Sequence, residues 1–164
     1  MSATRRTFDE VEELFTRLGR DLLLSWAGTA GSFLDGDLAV THTQGRAGTR
    51  NDLAVAERFD QADQLLVNRL MTRKGELAVL GHPDYGSRHH ELIGEPNTER
   101  TRNLVKLYIL DAVRHEPRVA KVVRCTVHAE ARPRDIVRIE LQVRLVDRPE
   151  PLNLVVPFEL DGGI

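Results

Sequence analysis

Val137-Arg138-Ile139-Glu140-Leu141-Gln142-Val143-Arg144-Leu145 alternates apolar with charged or polar side chains without a break. A period of two puts one set on each face of a strand, so the segment reads as a β-strand with one dry and one wet face. The stretch before it, Val123-Arg124-Cys125-Thr126-Val127-His128-Ala129, alternates as well, and Leu152, Leu154, Val156, Phe158 and Leu160 continue the pattern. Arg132-Pro133-Arg134-Asp135 and Asp147-Arg148-Pro149-Glu150-Pro151 punctuate the three runs. Short connections between successive strands give an antiparallel meander packed on one face. Pro157 cannot donate to a ladder, which places the last strand at an edge.

Upstream the period changes to that of a helix. Glu95-Pro96-Asn97-Thr98 prepares a start, with Asn97 or Thr98 as N-cap and Glu99 in the first turn. Leu104, Val105, Tyr108, Ile109, Ala112 and Val113 then form a broad apolar face, and Pro117 stops the helix near His115. A second helix runs from Phe59 to about Lys74, with Phe59, Ala62, Leu66 and Leu70 in one stripe and Leu65 beside it. Gly81-His82-Pro83-Asp84-Tyr85-Gly86-Ser87 reads as a turn-rich loop. The fold class is therefore α+β, with helices packed on one face of a small, mostly antiparallel sheet.

Nearer the N-terminus the signals are shorter. Leu38-Ala39-Val40 and Leu53-Ala54-Val55 are strand candidates around a polar turn, Gln44 to Asp52. That turn lacks the Gly-Lys-Ser/Thr ending of a phosphate-binding loop. Thr7-Phe8-Asp9-Glu10 has capping-box form; Phe8, Val11, Leu14, Phe15 and Leu18 follow at helical spacing, and Gly19 sits where a C′ glycine belongs. Leu22-Leu23-Leu24 and Trp26 add apolar surface before Gly28, Gly31 and Ser32. The expected organisation is an N-terminal helical arm and linker at 1–32 and a main domain at 33–164.

Composition removes several function classes. The 164 residues carry a formal net charge of −2 and only 5% aromatics, which disfavours a nucleic-acid binder or a base-stacking platform. One cysteine excludes an intramolecular disulfide and a Cys-rich zinc module, and a reducing compartment is the simplest expectation. No apolar run approaches the roughly 20 residues of a membrane span, and no signal-peptide pattern is present, so a soluble, cytoplasmically made protein is expected.

Catalytic equipment is sparse. His82, His89, His90 and Glu91 lack the spacing of convergent metal ligands and read as solvent-facing loop residues. His128 belongs to the wet face of a strand. Glu76, Asp84, Glu91 and Glu95 cluster in sequence, but glycoside hydrolysis needs one carboxyl with a raised pKa across a cleft from another. Cys125 falls on the apolar side of its strand and reads as core, and Ser87 lacks a nucleophile elbow. No catalytic, cofactor-binding or metal-ligating residue is assigned. Glu116-Pro117-Arg118 remains: proline fixes a sharp exit from the helix, and the flanking charges can either pair internally or meet a partner.

The order of these signals resembles one family, the baseplate wedge protein of contractile phage tails, also called the sheath initiator. Related components occur in type VI secretion systems and in phage-tail-like extracellular injection particles. The resemblance rests on Gly36-Asp37-Leu38, Leu70-Met71-Thr72-Arg73-Lys74-Gly75-Glu76, His82-Pro83-Asp84-Tyr85-Gly86-Ser87, Leu92-Ile93-Gly94-Glu95-Pro96, and the long helix running into Glu116-Pro117-Arg118-Val119. It covers roughly residues 35–160 and leaves the arm unmatched.

The resemblance implies a structural part without catalytic activity or cofactor, present in six copies around the tail tube. Its partners would be larger wedge proteins with a helical core bundle, sheath subunits, and inner tube or hub proteins. Neither nucleic acid nor membrane is implied as a partner. Glu116, Pro117 and Arg118 would dock on the core bundle, and Pro83, Tyr85 and Gly86 would shape a structural loop. The edge strand with Leu154, Val156 and Phe158 would accept strands from the first sheath ring by β-augmentation. Assembly would take place in the bacterial cytoplasm, with the baseplate of the particle as the final location. Some members carry a lysozyme label, so a peptidoglycan-cleaving hydrolase is the alternative.

Overall fold

The computed structural model describes residues 19–27, 35–45, 48–57, 59–132, 135–146 and 150–161. Two α-helices and a three-stranded meander form its main body. The helices are α1 (Phe59–Met71) and α2 (Glu99–Arg114). The meander strands are β7 (Val119–Ala129), β8 (Ile136–Leu145) and β9 (Leu152–Glu159), in the order β7-β8-β9 and antiparallel throughout. The class is α+β, as the alternating and helical periods require.

The core follows directly from the period of two. Val137, Ile139, Leu141, Val143 and Leu145 of β8 are all buried, while Arg138 and Arg144 between them are exposed. Val105, Ile109, Ala112 and Val113 of α2, with Ala62, Leu66 and Leu70 of α1, close over that face. Cys125 lies in this cluster, and burial raises its thiol pKa. Helix α2 begins at Thr98, whose hydroxyl accepts the Thr101 amide, and its C-cap is His115, as Pro117 demands.

Helix α1 ends three residues before the expected Lys74. The reason is a competing partner: Thr72 O accepts the Ser87 amide at 2.9 Å and the Lys74 amide donates to Ser87 O at 3.1 Å. That pairing draws the chain out of the helix and into a parallel bridge between Arg73 and Ser87. A 3-10 turn at Ala78–Leu80 and another at Arg88–Leu92 flank the loop between.

The N-terminal strands build a different object. In chain order they are β1 (Arg20–Leu22), β2 (Leu24–Ala27), β3 (Asp35–Leu38), β4 (Val40–Gly45), β5 (Gly48–Leu53) and β6 (Val55–Glu57). They pair as β1-β6, β2-β3 and β4-β5. Each of three extended segments thus changes partner at its middle, at Leu23, Ala39 and Ala54. There the backbone closes a cyclic triangle: Leu23 N–H donates to Ala54 O, Ala54 N–H to Ala39 O, and Ala39 N–H to Leu23 O, each at 2.8 Å. The three segments share a pattern, Asp21-Leu22-Leu23-Leu24, Asp37-Leu38-Ala39-Val40 and Asp52-Leu53-Ala54-Val55. In each, the aspartate Oδ1 accepts the next residue's amide.

Two expectations change here. Residues 20–27, read as part of an arm, are strands that pair with β6 and β3, because the Leu22-Leu23-Leu24 run satisfies its backbone in this junction. The polar stretch from Gln44 to Asp52, read as a turn, is mostly strand, with Gly45 opposite Gly48. The helix expected over residues 7–18 and the glycines at 28 and 31 lie outside the described residues. At the described end of that segment, Gly19 has φ +78, the left-handed conformation expected of a C′ glycine.

Buried Gln64 of α1 joins the two regions. Its Nε2 donates to Leu22 O and its Oε1 accepts the Leu24 amide, both at 2.8 Å.

Candidate docking site

The turn after α2 places Glu116 inward and Pro117 outward. The Glu116 residue is 3% exposed, and its carboxylate bridges two arginines. Its Oε2 accepts Arg69 Nη2 at 3.0 Å and Nε at 3.3 Å, and its Oε1 accepts Arg118 Nη1 at 2.9 Å and the Arg118 amide at 3.4 Å. A charge this deep persists only when paired and hydrogen-bonded, and here both oxygens are used. The internal ion pair is therefore real for Glu116. Pro117 is exposed and the Arg118 side chain retains 29% exposure, so these two form the outer surface of the turn.

The loop at 81–87 meets the same cluster. Tyr85 is half-buried with its ring 4.5 Å from the Arg69 guanidinium carbon, a cation–π stack. Burial raises the Tyr85 pKa, with Arg69 opposing. Arg69, Gly81, His82, Pro83, Asp84, Tyr85 and His115 line one shallow depression beside the turn. Sequence reading singled out the loop and the triplet separately; Arg69 joins them. Its pairing with Glu116 spans 47 residues, and no local motif marks it.

Gly86 holds the loop in place. It has φ +98, and a Cβ there would lie 2.6 Å from Arg73 O, so only glycine fits against α1's exit. Pro83 is exposed at the loop tip.

Two histidines correct the solvent-facing reading. His89 is 1% exposed, its Nδ1 is 2.8 Å from Ser87 Oγ, and its ring lies edge-on to Phe158 at 4.6 Å. Desolvation pulls its pKa down to about 3, with His90 adding to the effect. His90 is half-buried, donates from Nε2 to Leu70 O at 2.8 Å, and also has a lowered pKa, chiefly through burial. Both rings pack the loop onto the sheet. His82 and His128 are exposed, as expected.

The clustered carboxylates are surface groups. Glu76, Asp84, Glu91 and Glu95 are all exposed. The Arg88 guanidinium holds the Glu91 pKa below the usual range, opposite to what a general acid needs. Among the described residues no group of His, Cys, Asp or Glu is arranged to hold a metal ion.

Strand β9 forms one edge of the meander. Val156 and Phe158 are buried and Leu154 is half-buried, so these side chains serve the core and a guest strand could reach only the backbone. Val155 points outward at 46% exposure. The opposite edge, β7, carries two register shifts against β8.

No family model matches this chain, and no curated relative matches it. Among solved structures, its fold is similar to that of a provisionally assigned tail lysozyme from Geobacter sulfurreducens, with a TM-score of 0.53 and 22% identity over 62% of this chain and 89% of that one.

Proposed function

We propose that this chain is a structural baseplate component of a contractile injection machine, without catalytic turnover. It would dock on wedge proteins through the outer surface of the Glu116-Pro117-Arg118 turn and nucleate sheath assembly at the β9 edge. The observation that carries this reading is the clamp itself: Glu116, buried between Arg69 and Arg118, fixes a guanidinium and a proline at the surface in a rigid frame. A positioned arginine can recognise a carboxylate or a helix C-terminus on a partner with little further loss of entropy. Likeness to the fold of a tail protein supports the setting. Register shifts blunt the β7 edge, which favours β9 as the accepting strand despite the donor lost at Pro157.

The rival reading, a peptidoglycan-cleaving hydrolase, takes its support from the description of that structural neighbour. A turbidity assay on purified cell walls tests it. Clearing that a single Glu91→Gln or Asp84→Asn change abolished would replace the structural reading. The structural reading is tested by co-purification of tagged chain from its native cells, where wedge and sheath proteins should be recovered with it.

A further inference from the structure

We propose that the outer face of the meander, turned away from α1 and α2, is a docking surface for an acidic segment of a partner protein. It is distinct from the Glu116-Pro117-Arg118 turn and from the β9 edge. Two irregularities of β7 build it. The register against β8 shifts between Val119 and Lys121 and again between Val122 and Arg124, leaving Ala120 and Val123 as extra residues. Counted back from buried Cys125 by simple alternation, Lys121 would point into the core. The shift at Val123 turns it outward, and the shift at Ala120 returns Val119 to the core side.

The result is a concentration of positive charge. Lys121 stands directly opposite Arg144, and Arg124 directly opposite Gln142, two residues from Arg144 on the same face. Rows two residues apart lie about 7 Å from each other and neighbouring strands about 5 Å, so the three cations form one patch. All three are exposed, and none of their side chains has an ion pair or hydrogen bond to a described residue. Like charges directly opposite each other destabilise a sheet, so Lys121 and Arg144 work against the fold until an anion joins them.

Charge and pitch select the occupant. Glu140, the acid of the next row, faces Thr126 and accepts its hydroxyl at 3.3 Å. It ends the basic patch after two rows, where a continuous phosphate backbone would meet repulsion. No phenylalanine, tyrosine or tryptophan stands on this face of the three strands to stack a base. A second copy would set like charge against like. Arg124 also shares a groove with Gln142, Asn153 and Val155, which adds amide and aliphatic contacts beside the charge. Carboxylates on alternate residues of an extended peptide, about 7 Å apart, match the two rows of cations in sign and pitch.

The test is fluorescence anisotropy of the full chain with a labelled peptide of alternating Thr and Glu and its Thr/Lys counterpart. The Thr/Glu peptide should bind, less tightly as salt rises, and the Thr/Lys peptide should not. Joint Lys121→Gln, Arg124→Gln and Arg144→Gln substitution should weaken binding about tenfold. The same number of changes at the exposed Arg100, Arg114 and Arg132 should leave it unchanged. Lys121→Gln alone should weaken binding by a smaller factor and raise the melting temperature, because it relieves the repulsion from Arg144. Equal binding by the triple variant and wild type, or binding of both peptides, overturns the proposal. So does tighter binding of a single-stranded oligonucleotide of equal charge, or a dimer in sedimentation that the triple variant dissolves. The assay uses no baseplate protein, so its failure would leave the wedge assignment standing.

Discussion

The meander with its two helices and the junction of three strand pairs are built on opposite terms. In the first, side chains do the work: every second residue of β8 is buried against α1 and α2. In the second, the backbone does it, through a closed triangle of hydrogen bonds, while the aliphatics around that triangle face solvent. Leucine in a strand thus means stability in one region and available surface in the other. Position in the topology decides which.

Five changes probe this contrast. The largest effect is expected where Arg69 of α1 meets Glu116 in the turn after α2. Glu116→Ala leaves Arg69 buried without its counter-ion and should cost about 3–5 kcal/mol in chemical denaturation. Leu141→Ala opens a cavity in the meander and should cost about 2–5 kcal/mol.

The third effect depends on pH. His89 is held neutral in the folded state, with its pKa near 3 against 6.5 when exposed. The unfolded chain therefore takes up the extra proton. Its contribution is complete above about pH 6.5 and falls by about 1.4 kcal/mol per unit as the pH drops from there toward 3. Thermal melts across that range should show the slope, and His89→Phe should flatten it. At the joint between regions, Gln64→Ala strands Leu24 N–H and Leu22 O and should cost about 1–3 kcal/mol. Amide exchange should then rise in β1 and β2 while the β7–β9 ladder stays protected. Leu53→Ala, the same substitution as in the core but on an exposed aliphatic of the junction, should stay within about 0.5 kcal/mol. A core-sized loss there would erase the distinction between the regions.

The same contrast governs what the sequence discloses. Strand β8, helix α2 and its stop at His115 are legible because burial of one face imposes a period on nearby residues. The junction imposes none: its strands swap partners at Leu23, Ala39 and Ala54 without breaking local alternation, so only short strand candidates stand out. The threefold Asp-Leu pattern takes on meaning once the pairing is known. Arg69 was illegible for a related reason. It lies on a helix rich in polar residues, and its partner is 47 residues away. His89 looked exposed because the loop around it is polar, yet the turn fixed by Gly86 folds its ring under Phe158. The Glu-Pro-Arg turn was visible, but its division of labour, with Glu116 holding the frame and Arg118 facing outward, depends on burial.

That division can be measured. Arg118→Ala removes the partly exposed arm of the clamp and the side-chain partner of Glu116 Oε1 but leaves the Arg69–Glu116 pair, so the melting temperature should fall by only part of the Glu116→Ala loss and the chain should stay folded. Co-purification with wedge proteins and the yield of full-length sheaths should collapse. A stably folded Arg118→Ala variant that assembles sheaths at wild-type yield would contradict the docking role assigned to this turn.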